Sequence, residues 1–516
     1  MAKNAKPLTL LIRADAYKQI GTGHVMRCIG LGQAWKAYGG TVLFATYCES
    51  EVLRSRLNAE EFGYIPVHAP HSHPSDLDTI TTLLDDLCAT EQRDRVFVVL
   101  DGYHFDASYQ RKIKNKGFRL LCIDDYGHAG QYCADVILNQ NLSADTSLYA
   151  NCSPYTRFLL GPEYALLRKE FFVWKSWKRD IPVVAKKVLV TMGGADHDNV
   201  TLKVVHELRE TAIPDMEVAV LLGPANPHRN EIEHALNLAP FRSRLLLSVV
   251  NMPEIMAWAD VAIAAGGSTS WELAFMGLPG LLLILADNQR AICEKLEEAE
   301  VSVNLGWYNK TKVGAIAKVA ENIMKNEKAR EVMSVKGRSL VDGAGGLEVV
   351  KCLKGGYITF REVRKEDCRL VWKWANDPNI RAVSFSTDPI SWEDHVRWFT
   401  AKMNDSAHMF YILLNLNDEP VGQVRFSLNG KEAVISASIA PRFQGNGYGS
   451  QGIRLTVAEL FTHLDIDVIR AHIKSGNLKS VKAFIRAGFR EENSTAAQRE
   501  SNHSLTFRIY RDDVPC

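Results

Sequence analysis

The run Gln444-Gly445-Asn446-Gly447-Tyr448-Gly449 lies between a strand-like segment, Ala433 to Ala440, and a helix-like segment, Ser450 to Phe461. Closely spaced glycines at a strand-to-helix turn let backbone N–H groups approach a ligand, and a helix N-terminus favours an anion. This run therefore predicts a loop that binds a pyrophosphate late in the chain. Glycine-rich turns of a different design occur in the first half, so we expect two functional parts.

The bulk composition predicts a globular protein of two or three domains. The chain has 516 residues, 46% of them hydrophobic and 23% charged, and a formal net charge of +1. Such a balance gives no basic field for nucleic acid or for an anionic membrane. The cysteines are scattered without a CxxC pair, which is typical of reduced thiols in a cytoplasm. The longest apolar stretch, Leu278 to Ala286, is too short to span a bilayer. We expect a cytoplasmic protein with small-molecule substrates.

The first two thirds of the chain alternate short apolar runs with amphipathic stretches. This βαβ alternation predicts two doubly wound Rossmann-like units, each a parallel sheet covered on both faces. Ligands of such sheets bind in the cleft outside the carboxyl ends of the strands. The predicted strands are Leu8–Ile12, Thr41–Thr46, Val96–Leu100, Leu120–Ile123, Val136–Leu138, Lys187–Thr191, Glu217–Leu222, Arg244–Val249, Asp260–Ala264 and Gly280–Leu285.

After a helical run over Lys310–Leu340 the pattern changes. Phe410–Asn415 and Pro420–Phe426 predict a hairpin, and the glycine loop, a helix, a strand and a helix follow, which together indicate an α+β domain. We divide the chain into an N-terminal half (1–170) and a C-terminal, nucleotide-binding half (171–341) of one enzyme, a glycine-bearing linker (342–356) and a last domain (357–516).

Gly21-Thr22-Gly23-His24 follows the first strand and opens the first helix. A histidine beside a helix N-terminus and a cleft can take a proton from water. The simpler alternative is that His24 only caps the helix or forms a structural hydrogen bond. The pattern by itself favours this alternative.

Gly266-Gly267-Ser268-Thr269-Ser270-Trp271-Glu272 follows the Asp260–Ala264 strand. Its free N–H groups suit a diphosphate, and Glu272 can accept hydrogen bonds from ribose hydroxyls. The same residues also fit a helix-capping arrangement. At the end of the next strand, Asn288 and Gln289 face the expected cleft, although Asn288 also suits a helix cap.

These tracts, with Arg13-Ala14-Asp15 at the end of the first strand, resemble the GT-B-like UDP-sugar hydrolases of pseudaminic acid biosynthesis over roughly residues 7–340. The resemblance implies removal of UDP from UDP-2,4-diacetamido-2,4,6-trideoxy-β-L-altropyranose, with water attacking the anomeric carbon, inversion of configuration and no metal. It implies that His24 is the general base or water-positioning residue and that Asn288 is its polar partner. The residues implied to bind the UDP-sugar are Arg13, Asp15, Gly21, Gly23, Gly267, Ser268, Thr269, Glu272 and Gln289.

The order of elements over roughly residues 357–512 resembles the GNAT acetyltransferases. Their pyrophosphate loop pattern is matched by Gln444 to Gly449, and Asn477-x-x-Ser480 and Gly488-Phe489 strengthen the match. The resemblance implies an acetyl-CoA thioester beside a splayed pair of strands, attacked by an amine. The residues implied to bind acetyl-CoA are Ile439, Gln444, Gly445, Asn446, Gly447, Tyr448, Gly449, Asn477 and Ser480, the last two of which also suit a helix cap.

One position departs from the acetyltransferase pattern. Many relatives have a tyrosine seven residues after the asparagine, where it protonates the leaving thiolate, and Phe484 stands here. The acid and the base of this domain are therefore unassigned, and Glu393, His395 and His408 are more typical of surface or structural residues. The tryptophans of this domain predict core or wall packing, with a minority free to stack on a sugar or a uracil.

The two resemblances together predict a bifunctional enzyme of pseudaminic acid biosynthesis. Its last domain N-acetylates UDP-4-amino-4,6-dideoxy-N-acetyl-β-L-altrosamine, and its first part hydrolyses the product to free sugar and UDP. One alternative is a GT-B glycosyltransferase fused to a glycan or protein N-acetyltransferase, because the fold does not choose between water and an alcohol. Another is a nucleotide-sugar-binding scaffold with one inactive half. The sequence gives no basis for predicting the oligomeric state.

Overall fold

The computed structural model describes residues 7–71, 73–90, 93–194, 196–223, 226–247, 249, 251–355, 358–415, 418–492 and 504–513. The chain divides into two compact units, Met1–Cys152 with Arg157–Val350, and Ser153–Thr156 with Lys351–Cys516. Residues 356 and 357, at the expected start of the last domain, lie outside the described residues. Within the described part of the chain, no helix combines the length and apolar character needed to cross a membrane.

The first unit begins with a parallel sheet whose described strands have the order β3-β2-β1-β4-β5-β6-β7. Strands β1 and β4 are buried at every residue, as expected of a sheet covered on both faces. The strands are β1 Thr9–Ala14, β2 Thr41–Thr46, β3 Gly63–Pro66, β4 Val96–Asp101, β5 Arg119–Ile123, β6 Val136–Asn139 and β7 Arg157–Leu160. The helices are α1 Gly23–Ala37, α2 Glu51–Ala59, α3 Asp76–Thr90 and α4 Ala107–Asn115.

A second parallel sheet follows in the same unit, with its described strands in the order β10-β9-β8-β11-β12-β13. Buried Val, Leu, Ile and Ala side chains form a core on each face of this sheet. The strands are β8 Lys187–Thr191, β9 Glu217–Leu222, β10 Arg242–Leu247, β11 Val261–Ala265, β12 Gly280–Ile284 and β13 Ser302–Trp307. The helices are α5 Val200–Leu208, α6 Arg229–Asn237, α7 Met252–Trp258, α8 Thr269–Met276, α9 Asp287–Glu298, α10 Ala315–Lys325, α11 Glu327–Leu340 and α12 Gly345–Gly355.

The second unit contains a mixed sheet whose described strands have the order β14-β15-β16-β17-β18-β20-β19. The predicted hairpin is confirmed as the antiparallel pair β15–β16. The strands are β14 Thr359–Glu362, β15 His408–Leu414, β16 Pro420–Asn429, β17 Glu432–Ile439, β18 Val468–Lys474, β19 Arg490–Glu491 and β20 Ser504–Tyr510. The helices are α13 Cys368–Ala375, α14 Pro378–Val383, α15 Trp392–Met403, α16 Tyr448–His463 and α17 Leu478–Arg486.

Strands β17 and β18 pair over only part of their length, which leaves an opening between them in the second unit. Their parallel register runs from Glu432–Val468 to Ile435–Ala471, although β17 continues to Ile439 and β18 to Lys474. The two strands therefore separate beyond Ile435. The splayed pair implied by the acetyltransferase resemblance is present.

The predicted fold class is confirmed: an α/β chain with two doubly wound units and then an α+β domain. Some element bounds differ from the predicted ones. The helical run over 310–340 is two helices, because Asn326 ends α10 and its side chain caps α11 by accepting from the Ala329 N–H at 3.0 Å. The expected linker over 342–356 contains helix α12. Its Val349 and Val350 are fully buried, so packing overrides the helix-weakening glycines.

Candidate active sites

The strand orders place two sets of loops at one cleft of the first unit. In each sheet the order reverses beside the first strand, between β1 and β4 and between β8 and β11, where loops part to admit a ligand. The cleft has a volume of about 1250 Å³, enough for a nucleotide sugar. The predicted residues that line it are Gly21, Gly23, His24, Gly267, Ser268, Thr269, Glu272, Asn288 and Gln289.

The two halves approach closely across this cleft. A Cβ atom placed on Gly23 would lie 3.7 Å from the Ser268 Oγ, and one on Gly194 would lie 3.1 Å from the Thr22 N. The loop that precedes α1 therefore faces both the β8–α5 loop and the start of α8. Tertiary folding brings the two glycine-rich tracts together from positions far apart in sequence.

His24 is held by a carboxylate that the sequence analysis did not identify. Its Nδ1 lies 2.6 Å from the Oδ1 of Asp101, the last residue of β4. Since an ionised carboxylate only accepts, His24 Nδ1 donates and Nε2 is free to accept a proton. Nε2 has no partner among the described residues. The His24 side chain forms no helix cap, but it does form a hydrogen bond of the kind that the simpler alternative expects, so its role in catalysis stays a prediction.

Asp101 is kept ionised by its surroundings. Burial would raise its pKa, but the charge of Arg27 and the contact with His24 hold the pKa well below its usual range. The Arg27 guanidinium donates from Nε to Asp101 Oδ2 at 2.7 Å and from Nη1 to Asp125 Oδ1 at 2.9 Å. Arg27 therefore fixes the carboxylate that orients the histidine.

Tyr103 links His24 to Asn288 across the cleft. The Asn288 Nδ2 donates to the Tyr103 hydroxyl at 2.9 Å, and this hydroxyl donates to Asp125 at 2.7 Å. The Tyr103 ring meets the His24 ring edge to face, with centroids 5.0 Å apart. Asn288 does not cap α9, whose N-cap is Ala286. The one sequence signal for Asp101 and Tyr103 was that they follow a buried strand at a βα turn.

The start of α8 offers unpaired donors to the cleft. Among the described residues, the N–H groups of Ser268 and Thr269 have no hydrogen-bond acceptor, whereas Ser270 N–H donates to Gly267 O at 3.0 Å. Free N–H groups at a helix N-terminus suit a phosphate. Gln289 lies beside the glycine turn that precedes α8, and its Oε1 accepts from the Leu285 N–H at 2.9 Å.

Glu272 lines the cleft but already has a partner. Its Oε1 accepts from the Arg168 Nη2 at 2.7 Å. Burial raises the pKa of Glu272, and the nearby Arg168 partly offsets this effect. Its contact with a ribose therefore stays a prediction.

Arg13 and Asp15 are not among the cleft-lining residues, contrary to the binding role predicted for them. Arg13 is fully buried, and its Nη2 donates to Asp15 Oδ2 at 2.9 Å and to Asp76 Oδ1 at 2.8 Å. Asp15 also accepts from the Tyr47 and His71 N–H groups, each at 2.8 Å. A buried ion pair satisfied in this way holds loops together and has no donor left for substrate. The binding role of Arg13 and Asp15 therefore has no support from this geometry and stays a prediction.

In the second unit, the run from Gln444 to Gly449 forms the turn between β17 and α16. Gly447 is the N-cap of α16, with φ of 81°. Among the described residues, the N–H groups of 445–449 donate to no protein acceptor, so they are available to an anion. The Gln444 side chain donates to Ile439 O at 3.1 Å and thereby closes the loop on the strand end.

Asn477 and Ser480 form a helix cap, the simpler of their two predicted roles. The Asn477 side chain accepts from the Ser480 N–H at 3.2 Å at the start of α17. Phe484 is buried and meets Phe489 edge to face at 5.1 Å. This position therefore belongs to the core, and it offers no proton to a thiolate.

The remaining candidates of the second unit are mostly structural. His395 is 1% exposed, its Nε2 donates to Cys368 O at 3.0 Å, and burial lowers its pKa. The His408 Nδ1 lies 2.8 Å from the Asp405 Oδ2. Trp374 packs in a core cluster, whereas Trp392 is 40% exposed. Trp374 therefore fits the predicted core packing, and Trp392 fits the minority of tryptophans expected to be exposed.

Two family models match the chain. Residues 187–344 match the glycosyltransferase family 28 C-terminal domain, and residues 358–490 match the acetyltransferase (GNAT) domain. The first match covers the second parallel sheet and its helices, and the second covers most of the mixed sheet.

Several curated proteins are similar to the chain. An uncharacterized protein of Methanocaldococcus jannaschii is 22% identical over 94% of this chain and 97% of its own length. A UDP-2,4-diacetamido-2,4,6-trideoxy-beta-L-altropyranose hydrolase of Campylobacter jejuni is 26% identical over 55% of this chain and 92% of its own length. The acetyltransferase PseH of the same species is 24% identical over 24% of this chain and 78% of its own length.

These similarities fit the architecture described above, with two parallel sheets around a cleft and then a mixed sheet. A GNAT domain implies the use of acetyl-CoA. The chain is therefore a two-part enzyme that joins a unit similar to this UDP-sugar hydrolase to a GNAT acetyltransferase domain.

Proposed function

We propose that this enzyme performs two consecutive steps of pseudaminic acid biosynthesis. The second unit transfers the acetyl group of acetyl-CoA to the 4-amine of UDP-4-amino-4,6-dideoxy-N-acetyl-β-L-altrosamine. The first unit then hydrolyses UDP-2,4-diacetamido-2,4,6-trideoxy-β-L-altropyranose to the free sugar and UDP. The observation that carries the hydrolytic step is the His24–Asp101 pair in a cleft that also contains the unpaired N–H groups of α8.

In the hydrolytic step, His24 Nε2 takes a proton from water as the water oxygen attacks the anomeric carbon. Asp101 accepts from Nδ1 throughout and stabilises the imidazolium that forms, since a buried ionised carboxylate favours the charged ring. The C1–O bond to UDP breaks on the opposite face of the sugar, so the configuration inverts. We assign Asn288 and Tyr103 to the sugar side of this site, where their hydrogen bond fixes the amide.

The leaving UDP gains negative charge as the bond breaks, and preorganised donors lower the barrier for such a step. We assign the N–H groups of Ser268 and Thr269 to the diphosphate, and the Glu272 carboxylate to the ribose hydroxyls. Gln289 and the glycines of the facing loop complete the wall. As part of this proposal, we place the boundary between the N-terminal and C-terminal halves of the hydrolase near residue 170.

In the acetyl transfer step, the N–H groups of 445–449 bind the pyrophosphate of acetyl-CoA at the start of α16. The thioester then lies at the opening between β17 and β18. The neutral amine attacks the carbonyl carbon, the C–S bond breaks, and the proton lost by the amine balances the one gained by the thiolate. Phe484 cannot supply that proton, so we assign it to solvent.

The order of the two steps follows from the chemistry, because the proposed hydrolase substrate already carries both acetamido groups. A covalent link between the two enzymes keeps the intermediate at a raised local concentration near its next site. Since nucleotide sugars and acetyl-CoA are cytoplasmic metabolites, we place the enzyme in the cytoplasm.

Product analysis tests the proposal. The full chain is incubated with the amino UDP-sugar and acetyl-CoA, without any acceptor alcohol, and sampled by mass spectrometry over time. We expect CoA, UDP and free 2,4-diacetamido sugar. A requirement for an added acceptor would instead identify a GT-B glycosyltransferase, and bound acetyl-CoA without CoA release would identify a scaffold with an inactive half.

A further inference from the structure

Arg425 is a partly buried cation in the second unit with no assigned role. Its neighbours in β16, Val424 and Phe426, are buried in the core that contains α16, so Arg425 points to the opposite face of the sheet. On that face its guanidinium lies 4.9 Å from the Trp398 ring centroid and 5.7 Å from that of Phe410. Burial lowers the pKa of Arg425 to about 10.

No carboxylate among the described residues pairs with Arg425. Its guanidinium donates one hydrogen bond, from Nη2 to the Ser436 Oγ at 3.2 Å, and its Nε is shielded from solvent without a partner. The buried Arg13 and Arg27 differ, since each pairs with two aspartates. Shielding a charge without a counter-ion costs free energy, which a bound anion can recover.

Gln423 adds an unpaired polar atom to the same face. It lies two residues before Arg425 on β16, is 4% exposed, and its Oε1 has no hydrogen-bond partner among the described residues. Residues two apart in a strand share a face. The Arg425 Nε donor and the Gln423 Oε1 acceptor on this face therefore have no hydrogen-bond partner among the described residues.

This polar row lies beside the place where β17 and β18 part. Ser436, the residue bonded to Arg425, is the first of β17 beyond the paired segment. The loop proposed for the pyrophosphate of acetyl-CoA follows Ile439, which pairs with Gly422. Arg425 lies three positions after Gly422 along the strand, a distance of about 10 Å. Arg425 is therefore near the point of acetyl transfer and apart from the coenzyme's phosphates.

We propose that Arg425 binds the diphosphate of the nucleotide-sugar acceptor during acetyl transfer, an inference that rests on the proposed function. In such an acceptor the 4-amine and the diphosphate lie at opposite ends of one pyranose ring. An amine at the strand opening therefore places the phosphates within reach of a long side chain. A guanidinium binds phosphate oxygens through two parallel hydrogen bonds, which selects a nucleotide-linked amine over a free one.

The test compares two acceptors in full-length protein carrying His24→Ala, in which release of UDP from the product should be strongly slowed. CoA release is measured with the amino UDP-sugar and with the same amino sugar lacking UDP. Arg425→Met should raise KM for the amino UDP-sugar by about 10- to 100-fold, the range for lost hydrogen bonds to a charged group. It should leave KM for the free amino sugar and for acetyl-CoA unchanged. Arg425→Lys should fall between the two, because it keeps the charge and loses the paired geometry.

Added UDP provides a readout that is independent of the natural acceptor. UDP should inhibit acetylation of the free amino sugar when Arg425 is present and should not inhibit the Arg425→Met protein. Equal KM changes for both acceptors, or equal inhibition of both proteins, would overturn the inference. A lower melting temperature of Arg425→Met would also count against it, because it would indicate a structural role.

Failure of the proposed function gives a different result. A parent protein that acetylates the free amine but not the amino UDP-sugar would contradict the proposed substrate. UDP inhibition that depends on Arg425 would then still identify a diphosphate site.

Discussion

At the residue scale, the pairing of His24 with Asp101 determines what the first cleft can do. A lone histidine at a helix start is most often structural, but a buried carboxylate on Nδ1 fixes one tautomer and leaves Nε2 as the acceptor. Arg27 keeps that carboxylate ionised from the next turn of the same helix. Three side chains from α1 and β4 thus form the hydrogen-bonded group in which we propose that His24 acts as the base.

Replacing His24 with alanine removes the proposed base. We expect hydrolysis of the diacetamido UDP-sugar to slow by about 10²- to 10⁴-fold, the usual contribution of general base catalysis. Release of UDP and the melting temperature should be measured together. Retained hydrolysis at the parent rate would contradict the assignment of His24.

Asp101→Asn tests the orientation of the histidine and the stability of the site at once. The amide lacks the negative charge that Arg27 and His24 require, so we expect slower hydrolysis and a loss of about 3–5 kcal/mol in the free energy of unfolding. Denaturant titration gives the stability, and UDP release gives the rate. Asp78→Asn, on the exposed side of α3, is a matched control and should change neither quantity.

At the scale of elements, both units use the same device, a glycine-rich turn that exposes N–H groups at a helix start. The turn before α8 faces the first cleft, and the turn before α16 lies where β17 ends. Sheet order determines which turns meet, because loops beside a reversal in strand order are free of crossing connections. The β5–β6 loop differs, because its Gly127 N–H and Tyr132 hydroxyl donate to the carboxylate of the buried Asp124.

Gly447→Val should impair binding of acetyl-CoA. Gly447 has a φ of 81°, a conformation that strains a β-branched residue, and the added bulk stands where the pyrophosphate approaches. We expect a higher KM for acetyl-CoA in the acetyl transfer assay. Gly430→Val is the matched control: Gly430 has a φ of 58° in the β16–β17 turn with nothing within 4 Å of an added Cβ. An unchanged KM in Gly447→Val, or an equal rise in both variants, would refute the assignment of the loop.

Asp124 makes the first unit sensitive to acid. Burial would raise its pKa, but hydrogen bonds from His128, Tyr132 and the Gly127 N–H lower it to about 2. A folded-state pKa below the unfolded value of about 3.9 stabilises the fold above pH 4, and this stability is lost as pH falls toward 2. Between pH 6 and pH 3 we therefore expect the free energy of unfolding of the parent to fall by about 1 kcal/mol more than that of Asp124→Asn. Urea titrations at pH 3 and pH 6 measure the difference, and equal pH dependence in both proteins would contradict the network.

At the scale of the whole molecule, two enzymes of unrelated fold share one chain. The first unit contains both parallel sheets and its own cleft, and the second contains a separate mixed sheet and its own glycine-rich loop. Each unit has its own hydrophobic core. Damage to one site should therefore leave the chemistry of the other intact.

Complementary variants test this separation. His24→Ala, given the amino UDP-sugar and acetyl-CoA, should accumulate the diacetamido UDP-sugar in step with CoA release. Gly447→Val, given that diacetamido UDP-sugar, should release UDP at the parent rate. Mass spectrometry and UDP release measure the two outcomes. Loss of acetyl transfer in His24→Ala would show that the sites are not independent.

Much of the fold followed from local pattern. The bounds of β2, β8 and β9 agree with the predicted strands, because buried parallel strands are continuous apolar runs with sharp ends. Strands β3, β7 and β13 were not predicted, since they are short or partly exposed. Helix α12 was predicted as a linker, because its glycines are typical of a linker and the burial of Val349 and Val350 depends on tertiary packing.

The amino-acid sequence alone determined the two parallel sheets, the glycine turns and the histidine beside one of them, because each depends on neighbours within a few residues. Only the tertiary structure decided that Asp101 pairs with His24, that Arg13 pairs with Asp15, and that Asn288 reaches Tyr103. The reason is that ion pairs and hydrogen bonds act between side chains that meet through strand order. Strand order brings together side chains from elements as distant in sequence as β4 and α9, and local sequence patterns do not predict it.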